Sequence, residues 1–208
     1  GSEQKACRRE LRYETERGYV GEVLRGIVVN ISFVIPSFTR DAKTFSMLFT
    51  DCIDSCVKHH GNHHEIIVVE DGGGFKENVR SECEKRGIKG IISETNCGFS
   101  RTVNKGILAA TGDIIVLVNN DIQFTQNVID PIISSFEIDP RIGIVGALLF
   151  YPHGAIQHGG IEMVGGGFTH RGWHKAINHA PEVQHKAYLI GVTGALFAIK
   201  REMIKEIG

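Results

Sequence analysis

The sequence of 208 residues lacks the features that mark several classes of protein. It has no excess of charge of either sign, since 23 Lys and Arg residues face 24 Asp and Glu residues and the formal net charge is -1. This balance gives no electrostatic basis for binding nucleic acid or an anionic membrane surface. No apolar run approaches the roughly 20 residues that a membrane-spanning helix needs. We therefore expect neither a nucleic-acid partner nor a transmembrane segment in this chain.

Cysteine is also scarce, and its spacing excludes a disulfide framework. The five cysteines are Cys7, Cys52, Cys56, Cys83 and Cys97. An odd number without tight spacing predicts reduced thiols and a cytoplasmic protein, peripheral to the membrane only through parts outside this chain. Cys52 and Cys56 lie four residues apart on a predicted helix, but no second pair with zinc-finger spacing accompanies them. We interpret them as small, half-buried helix residues.

What the sequence does contain, 42% hydrophobic and 23% charged residues, is typical of a folded domain. From Ile31 onward, β-branched runs alternate with segments of helical spacing. The predicted strands are Ile31–Ile35, Glu65–Val69, Ile88–Ile92 and Ile114–Val118, and the predicted helices are Ala42–Lys58, Lys76–Arg86, Ser100–Ala110 and Asn127–Ile138. This alternation predicts an α/β fold with a mainly parallel central sheet and helices on both faces.

Polar residues follow three of the predicted strands, as Pro36-Ser37, Glu70-Asp71 and Asn119-Asn120-Asp121. Right-handed crossovers bring the carboxyl ends of parallel strands to one edge of the sheet, where open α/β folds bind ligands. We therefore expect these residues to converge. A dehydrogenase is disfavoured, because residues 36–40 follow the first strand without a G-x-G-x-x-G pattern.

The two ends of the chain differ from this alternating region. Residues 1–30 are rich in Arg and Glu and are predicted to form a charged helical extension, in which Gly1-Ser2 resembles a cloning scar. We take residues 31–208 as the main domain. Its last part is rich in glycine and is predicted to form a hairpin of Ala147–Tyr151 and Ile156–Val164, a loop over residues 170–185, a strand Ala195–Ile199 and a short final helix.

The most specific pattern runs from Asn96 to Asp121, N-C-G-F-S-R-T-V-N-K-G-I-L-A-A-T-G-D-I-I-V-L-V-N-N-D. It describes a loop, an amphipathic helix that ends at Gly112, a buried strand and a polar tip with a carboxylate. It resembles the core of the inverting family 2 glycosyltransferases of the GT-A fold, and most closely the rhamnosyltransferase-like group. The residues that match the pattern of that group are Asn96, Gly98, Phe99, Asn104, Gly106, Ala110, Gly112, Asp113, Asn119 and Asp121. The resemblance extends from about Ile31 to the last residue.

This resemblance implies a Rossmann-like nucleotide-binding half and a smaller acceptor-side β region. It implies an enzyme of polysaccharide biosynthesis that transfers a sugar, with inversion, from a nucleotide-diphosphate sugar to a saccharide, a lipid-linked saccharide or another hydroxyl acceptor. UDP and dTDP sugars are the favoured donors. The alternative is a non-catalytic nucleotide- or sugar-binding module of a larger polypeptide. Two departures favour it, because Glu70 and Asn119 stand where many relatives carry Asp.

The resemblance places the nucleotide at the carboxyl edge of the sheet. The expected contacts are Pro36, Ser37, Phe38, Glu70, Asp71, Asn96, Gly98, Arg101 and Asn119. Asp71 is the first of these, because a carboxylate at a strand end can accept hydrogen bonds from a nucleobase or a ribose. Phe38 is either part of the floor beneath the base or a core residue. Arg101, near a helix N-terminus, either binds phosphate or is an ordinary surface residue.

Asp121 is the expected metal ligand. Mn²⁺ or Mg²⁺ takes oxygen ligands and commonly bridges one or two carboxylates to phosphate oxygens. Asn119 adds an amide oxygen but no charge. The cation is therefore expected to bind weakly without nucleotide, and an ordinary turn is the alternative reading of this tip.

On the acceptor side, His158 and Trp173 are the expected contacts, the latter as a platform for a sugar ring. The family's catalytic base usually follows the final helix, so we expect it beyond Gly208 and expect the domain to be truncated there. His158 and His170 are the remaining candidates within the chain. His59, His60, His63 and His64 match no zinc template and are expected to be solvated loop residues.

Overall fold

The computed structural model describes residues 22–24, 27–61 and 63–207. Its strands are β1 (Glu22–Leu24), β2 (Ile27–Val29), β3 (Ile31–Ser37), β4 (Glu65–Glu70), β5 (Lys89–Ile92), β6 (Ile114–Val118), β7 (Ile144–Gly146), β8 (Leu149–Phe150), β9 (Ile156–His158), β10 (Ile161–Val164), β11 (Gly167–His170) and β12 (Leu196–Lys200). Its helices are α1 (Ala42–Ser46), α2 (Asp54–His60), α3 (Lys76–Arg86), α4 (Phe99–Ala109), α5 (Ile129–Ile138) and α6 (Arg201–Ile207). Among the described residues, no helix is long and apolar enough to cross a bilayer.

Six strands form the central sheet, in the order β5-β4-β3-β6-β12-β7. β5, β4, β3 and β6 are parallel, and β12 is antiparallel to both of its neighbours. The predicted mainly parallel sheet is thus confirmed. All five residues of β6 are buried, as expected for a strand covered on both faces. This burial explains why β6 is an unbroken apolar run in the sequence.

Helices on the two faces of the sheet enclose two separate hydrophobic cores. Successive side chains of a strand point to opposite faces, so Phe33 and Ile35 belong to the larger core and Val34 to the smaller one. Residues of α2, α3 and α5 complete the larger core, and residues of α4 and α6 complete the smaller one. The predicted helix layers on both faces are therefore confirmed.

Gly106 sets the distance between α4 and the sheet. A Cβ atom at this position would lie 2.3 Å from Cγ1 of Val34 and 3.0 Å from Cγ2 of Val69. Both valines are fully buried and have no space into which to move. The absence of a side chain at Gly106 therefore fixes how closely α4 packs on β3 and β4.

The predicted helix Ala42–Lys58 is continuous but contains a π-helical turn, Met47–Ile53, between α1 and α2. The helix begins with a capping box in which the side chain of Asp41 accepts a hydrogen bond from the backbone of Thr44. Cys52, in the π-helical turn, is fully buried, and its Sγ lies 3.7 Å from the carbonyl oxygen of Asn119. The turn thus packs against the end of β6.

The glycine-rich part contains more strands than predicted. The hairpin of β8 and β9 is present, but the predicted strand Ile156–Val164 is divided into β9 and β10. The division falls at Gly159-Gly160, because Gly160 has a φ of 109°, which residues with a side chain rarely adopt. β10 then pairs with β11, which the sequence did not predict.

Two other expectations differ from the structure. The helical extension predicted over residues 1–30 falls mainly outside the described residues, and where described, β1 and β2 form an antiparallel pair rather than a helix. His60 and His64 are buried rather than solvated. The Nε2 atom of His60 accepts a hydrogen bond from the backbone of Val128, and its Nδ1 atom donates to the carbonyl of Cys56. Burial lowers the pKa of His60 to about 4.

Replacing Gly106 with Ala should lower the free energy of unfolding by about 1–3 kcal/mol, the usual cost of overpacking a filled core. Helix propensity alone would raise it by about 1 kcal/mol, so the sign of the change identifies the packing effect. Urea denaturation measures it. Leu108→Ala on the same helix is the matched control, because Leu108 is 85% exposed and its loss should change stability by less than about 0.5 kcal/mol. Increased stability of Gly106→Ala would contradict the close approach of α4.

Candidate active site

Three strand ends meet at the carboxyl edge of the sheet. Ser37, at the end of β3, pairs in register with Glu70, at the end of β4. β6 lies on the other side of β3 and leads into Asn119-Asn120-Asp121. The polar residues that were predicted to converge therefore lie at one edge.

The carboxylate of Glu70 is fully buried at the centre of this edge. Its Oε1 atom accepts hydrogen bonds from the backbone N–H groups of Thr39 at 3.0 Å and Gly73 at 2.9 Å. Its Oε2 atom accepts from the hydroxyl of Thr39 at 2.6 Å. Glu70 thus joins the loops that follow β3 and β4. The structure corrects our prediction of a nucleotide contact at Glu70, because its oxygens are buried and already bonded within the protein.

Further hydrogen bonds extend from Glu70 to β6. The hydroxyl of Thr39 lies 2.9 Å from that of Ser37, and the Nδ2 atom of Asn120 donates to Ser37 Oγ at 2.9 Å. Because Thr39 donates its proton to Glu70, it must accept from Ser37, which in turn accepts from Asn120. We call these four residues, Asn120, Ser37, Thr39 and Glu70, the edge network. It binds the ends of β6, β3 and β4 to one another.

Two glycines allow the loop after β4 to fit against this network. A Cβ atom at Gly73 would lie 2.2 Å from the carbonyl oxygen of Thr39, so no side chain is possible there without moving the backbone. Gly72 has a φ of 77°, and a Cβ atom there would lie 2.6 Å from the carbonyl carbon of Thr95. The glycine at position 73 is therefore explained by close backbone contact.

Asp71 connects the same edge to the N-terminus of α4. Its Oδ1 atom accepts hydrogen bonds from the backbone N–H and the thiol of Cys97, at 2.9 and 2.8 Å, and its Oδ2 atom accepts from the backbone of Gly98 at 2.9 Å. Burial raises the pKa of Asp71, but these hydrogen bonds outweigh burial, so the net pKa is below the usual value. Asp71 thereby orients the loop before α4. Its contact with nucleotide stays a prediction.

The N-terminus of α4 presents exposed polar groups. Asn96 and Arg101 are exposed, and Gly98 is half-buried. Lys105, which the sequence analysis did not single out, lies four residues after Arg101 and donates to Ser93 Oγ at 2.7 Å. Two cations near a helix N-terminus favour an anionic ligand. The only sequence signal for Lys105 is this spacing.

Phe38 and Pro36 differ in their exposure. Phe38 is 41% exposed, which disfavours the core alternative and leaves its ring accessible to a ligand. Pro36 is buried within β3, where it pairs with Val69. Ser37 is buried and its hydroxyl belongs to the edge network. Contacts of these three residues with a nucleobase stay predictions.

The tip of β6 provides oxygen atoms suited to a divalent cation. Asp121 is exposed, and Asn119 Oδ1 is buried without a hydrogen-bond partner among the described residues. The described part of the chain holds no group of three or more His, Cys, Asp or Glu residues that could bind a metal ion. One carboxylate and one amide oxygen fit Mg²⁺ or Mn²⁺ only when phosphate oxygens supply further ligands.

A pocket of about 190 Å³ lies beside this tip. It borders Ala195, whose carbonyl accepts a hydrogen bond from the backbone of Asn119 at 2.8 Å. We call it the histidine pocket, and its lining includes Tyr151, His158, His170, Trp173, Thr193 and Ala195. The structure thus brings together the three residues predicted on the acceptor side and adds Tyr151 and Thr193, which sequence patterns did not indicate.

His158 is not suited to act as a base. It is 1% exposed, its Nε2 atom accepts a hydrogen bond from the backbone of Thr193 at 3.1 Å, and its Nδ1 atom lies 2.6 Å from Nδ1 of His170. Burial and the nearby His170 lower the pKa of His158 to about 4. Both ring nitrogens are engaged, which corrects the expectation that His158 could deprotonate an acceptor.

Comparisons with known proteins agree with this geometry. The model of the family "Glycosyl transferase family 2" matches residues 32–208. The uncharacterized protein y4gI of Sinorhizobium fredii is 28% identical over 158 residues, which cover 72% of this chain and 17% of that protein. An uncharacterized glycosyltransferase of Haemophilus influenzae is 25% identical over 185 residues, which cover 86% of this chain and 55% of that protein. The chain therefore spans at most 55% of the length of these two relatives.

A solved structure is similar in fold. It is the mannosyltransferase PcManGT from Pyrobaculum calidifontis in complex with GDP-Man and Mn²⁺, with a TM-score of 0.56 and 16% identity. The similarity covers 86% of this chain and 47% of that one. The GT-A-like architecture expected from the sequence is confirmed.

Replacing Glu70 with Gln should weaken the hydrogen bonds at the carboxyl edge of the sheet, because an amide NH₂ group would then face a backbone or hydroxyl donor. We expect the free energy of unfolding to fall by about 1–3 kcal/mol, the cost of an unsatisfied buried polar group. Hydrogen exchange of the backbone amides of Thr39 and Gly73 should become faster. Glu94→Gln is the control, since that side chain is 74% exposed and pairs with Lys76 at the surface. Unchanged exchange at Thr39 and Gly73 would contradict the role of Glu70.

Proposed function

The chain belongs to glycosyl transferase family 2, and on this basis we propose that it binds the nucleoside diphosphate of a sugar donor at the carboxyl edge of its sheet and transfers the sugar to a hydroxyl acceptor with inversion. The observation that carries this proposal is the edge network, which holds Asp121 and Asn119 beside the loops that follow β3 and β4. Because the chain spans only part of the length of its relatives, we also propose, and do not infer from them, the activity of the whole protein.

The N-terminus of α4 suits the diphosphate of the donor. Backbone N–H groups at a helix N-terminus and the helix dipole attract anions, and Arg101 and Lys105 add two positive charges on one face of the first two turns of α4. Asp71 holds this turn against β4 through Cys97 and Gly98. The nucleobase would then lie toward Phe38, and we favour a uracil or thymine base.

Asp121, assisted by Asn119, is the proposed ligand of a divalent cation. Mn²⁺ or Mg²⁺ would neutralise charge that develops on the leaving diphosphate. Asp121 contributes a single carboxylate, so the protein alone offers a weak site. The edge network ties Asn120, the residue before Asp121, to the ends of β3 and β4, which limits reorganisation of this tip during the reaction.

The acceptor would approach from the side of the histidine pocket, with Trp173 and His158 among its lining residues. Inversion requires the acceptor hydroxyl to attack from the face opposite the diphosphate, with a base within hydrogen-bond reach. Saccharide acceptors, including lipid-linked ones, are the proposed class.

A second function is favoured by one observation. Glu70, Asp71 and His158 are engaged in hydrogen bonds within the protein, so none of them is available to deprotonate an acceptor. A nucleotide- or sugar-binding module without transfer activity is the function that fits this observation. Release of nucleotide from a bound donor, measured with and without saccharide acceptors, separates the two, since only a transferase shows acceptor-dependent release.

Replacing Asp121 with Asn should abolish the cooperation between cation and nucleotide. In the unchanged protein, calorimetry with UDP, dTDP and GDP should show at least about tenfold tighter binding when Mn²⁺ is present. In Asp121→Asn this gain should disappear without loss of folding, because Asp121 is exposed. Glu206→Gln is the control, an exposed carboxylate in α6, which starts beside the amino end of β6. Tight Mn²⁺ binding without nucleotide, or an unchanged gain in Asp121→Asn, would contradict the assignment.

A further inference from the structure

We propose that the histidine pocket binds one neutral sugar ring of the acceptor, through a hydrogen bond donated by Nε2 of His170 and through stacking on Trp173, whose indole is held in place by Tyr151. This inference rests on the glycosyl transfer proposed above. It adds His170 as a residue that determines acceptor specificity and Tyr151 as a residue that positions Trp173.

Thr193 fixes the tautomer of His158. The backbone N–H of Thr193 donates to Nε2 of His158 at 3.1 Å, so this nitrogen carries no proton. The ring is buried, and an uncharged imidazole has its single proton on the other nitrogen. His158 therefore carries its proton on Nδ1.

The proton on Nδ1 of His158 in turn sets the tautomer of His170. The two Nδ1 atoms are 2.6 Å apart, and only one proton fits between them. His158 supplies it, so Nδ1 of His170 accepts and Nε2 of His170 holds the proton of the neutral ring. Among the described residues, Nε2 of His170 has no hydrogen-bond partner, and its side chain is exposed. The pocket thus offers a hydrogen-bond donor of fixed orientation, and not a base.

An aromatic wall completes the pocket. The ring of Tyr151 stacks between those of His153 and His174, at centroid distances of 5.3 and 5.0 Å. The indole N–H of Trp173 donates to the hydroxyl of Tyr151 at 3.1 Å. These contacts fix both rings, which lowers the entropy lost when a ligand binds.

The backbone of His174 supports a functional interpretation of this wall. Its φ of 60° is the only positive value at a non-glycine position among the described residues. Histidine tolerates this region better than most residues, but such conformations still cost energy and cluster at binding sites. The strained backbone places the ring of His174 on Tyr151.

The size and chemistry of the pocket select the ligand. A volume of about 190 Å³ is below the roughly 300–1,000 Å³ of pockets for drug-sized ligands, and it suits a single ring. A sugar ring has apolar C–H faces that stack on aromatic rings and hydroxyl oxygens that accept a hydrogen bond. The position beside Asn119 puts such a ring next to the donor edge.

Trp173 provides a specific probe, because it is the single tryptophan of the chain. Its indole N–H signal in a ¹H–¹⁵N spectrum should shift when methyl glycosides of glucose, mannose, rhamnose or N-acetylglucosamine are added at about pH 8. At least one glycoside of this panel should bind.

Two variants of His170 form a matched pair. Gln keeps an N–H donor near the position of Nε2, whereas Asn places its amide near Nδ1 and has no outward donor. His170→Asn should weaken glycoside binding by about tenfold, and His170→Gln should retain most of the affinity. Long-range ¹H–¹⁵N spectra should show the proton on Nδ1 of His158 and on Nε2 of His170.

Three results would overturn the proposal: no glycoside shifts the indole signal, the two variants lose affinity equally, or His170 carries its proton on Nδ1. Nucleotide binding in the same samples distinguishes an error about the sugar pocket from an error about the proposed function. If UDP, dTDP or GDP binds with Mn²⁺ while no glycoside binds, only the sugar pocket is wrong. If no nucleotide binds, the proposed function itself fails.

Discussion

The buried carboxylate of Glu70 is the interaction on which the candidate site depends. It accepts hydrogen bonds from the backbone and hydroxyl of Thr39 and from the backbone of Gly73, so the loops after β3 and β4 have one common anchor. A hydrogen bond in a low-dielectric interior is stronger than in water, and an unpaired partner there is costly. The carboxylate and its donors therefore stabilise one arrangement of these loops.

This anchor acts together with a second constraint, the close packing of α4 on the sheet. The edge network fixes Asn120 and with it the tip of β6, while Gly106 and Asp71 fix α4 through packing and hydrogen bonds. The edge network and the contacts that hold α4 share no residue, but both include the end of β4, where Glu70 and Asp71 are adjacent. A rigid edge with an anion-attracting helix on one side and a carboxylate tip on the other follows from their combination.

The parts of this structure that sequence patterns predicted are those set by local periodicity. β-branched runs mark the strands β3, β4, β5 and β6, and helical spacing marks the helices α3, α4 and α5. The order of these elements and the parallel arrangement of the strands could therefore be predicted. The π-helical turn Met47–Ile53 was not predicted, since such turns are rare variants inside α-helices. The division between β9 and β10 depends on the backbone of Gly160, which composition alone does not specify.

The site was predicted less completely, because its chemistry depends on distant partners. Glu70 was interpreted as a ligand contact from its place at a strand end, yet its role is decided by Thr39, which lies 31 residues earlier. The orientation of the His158–His170 pair is set by Thr193, 35 residues after His158. No spacing rule links such residues, and only the folded chain brings them together.

The central claim is that a nucleoside diphosphate and a cation bind at the carboxyl edge. Paramagnetic broadening by Mn²⁺ tests it directly, since the loss of amide signals decreases steeply with distance from the ion. With UDP present, broadening should be centred on residues 119–121 and should be weaker at Asn30 and Gly112, which lie at the other end of β6, roughly 17 Å away for five residues of strand. Without nucleotide, the same Mn²⁺ concentration should leave most signals unchanged. Broadening centred on any other part of the chain, or equal broadening with and without nucleotide, would contradict this account.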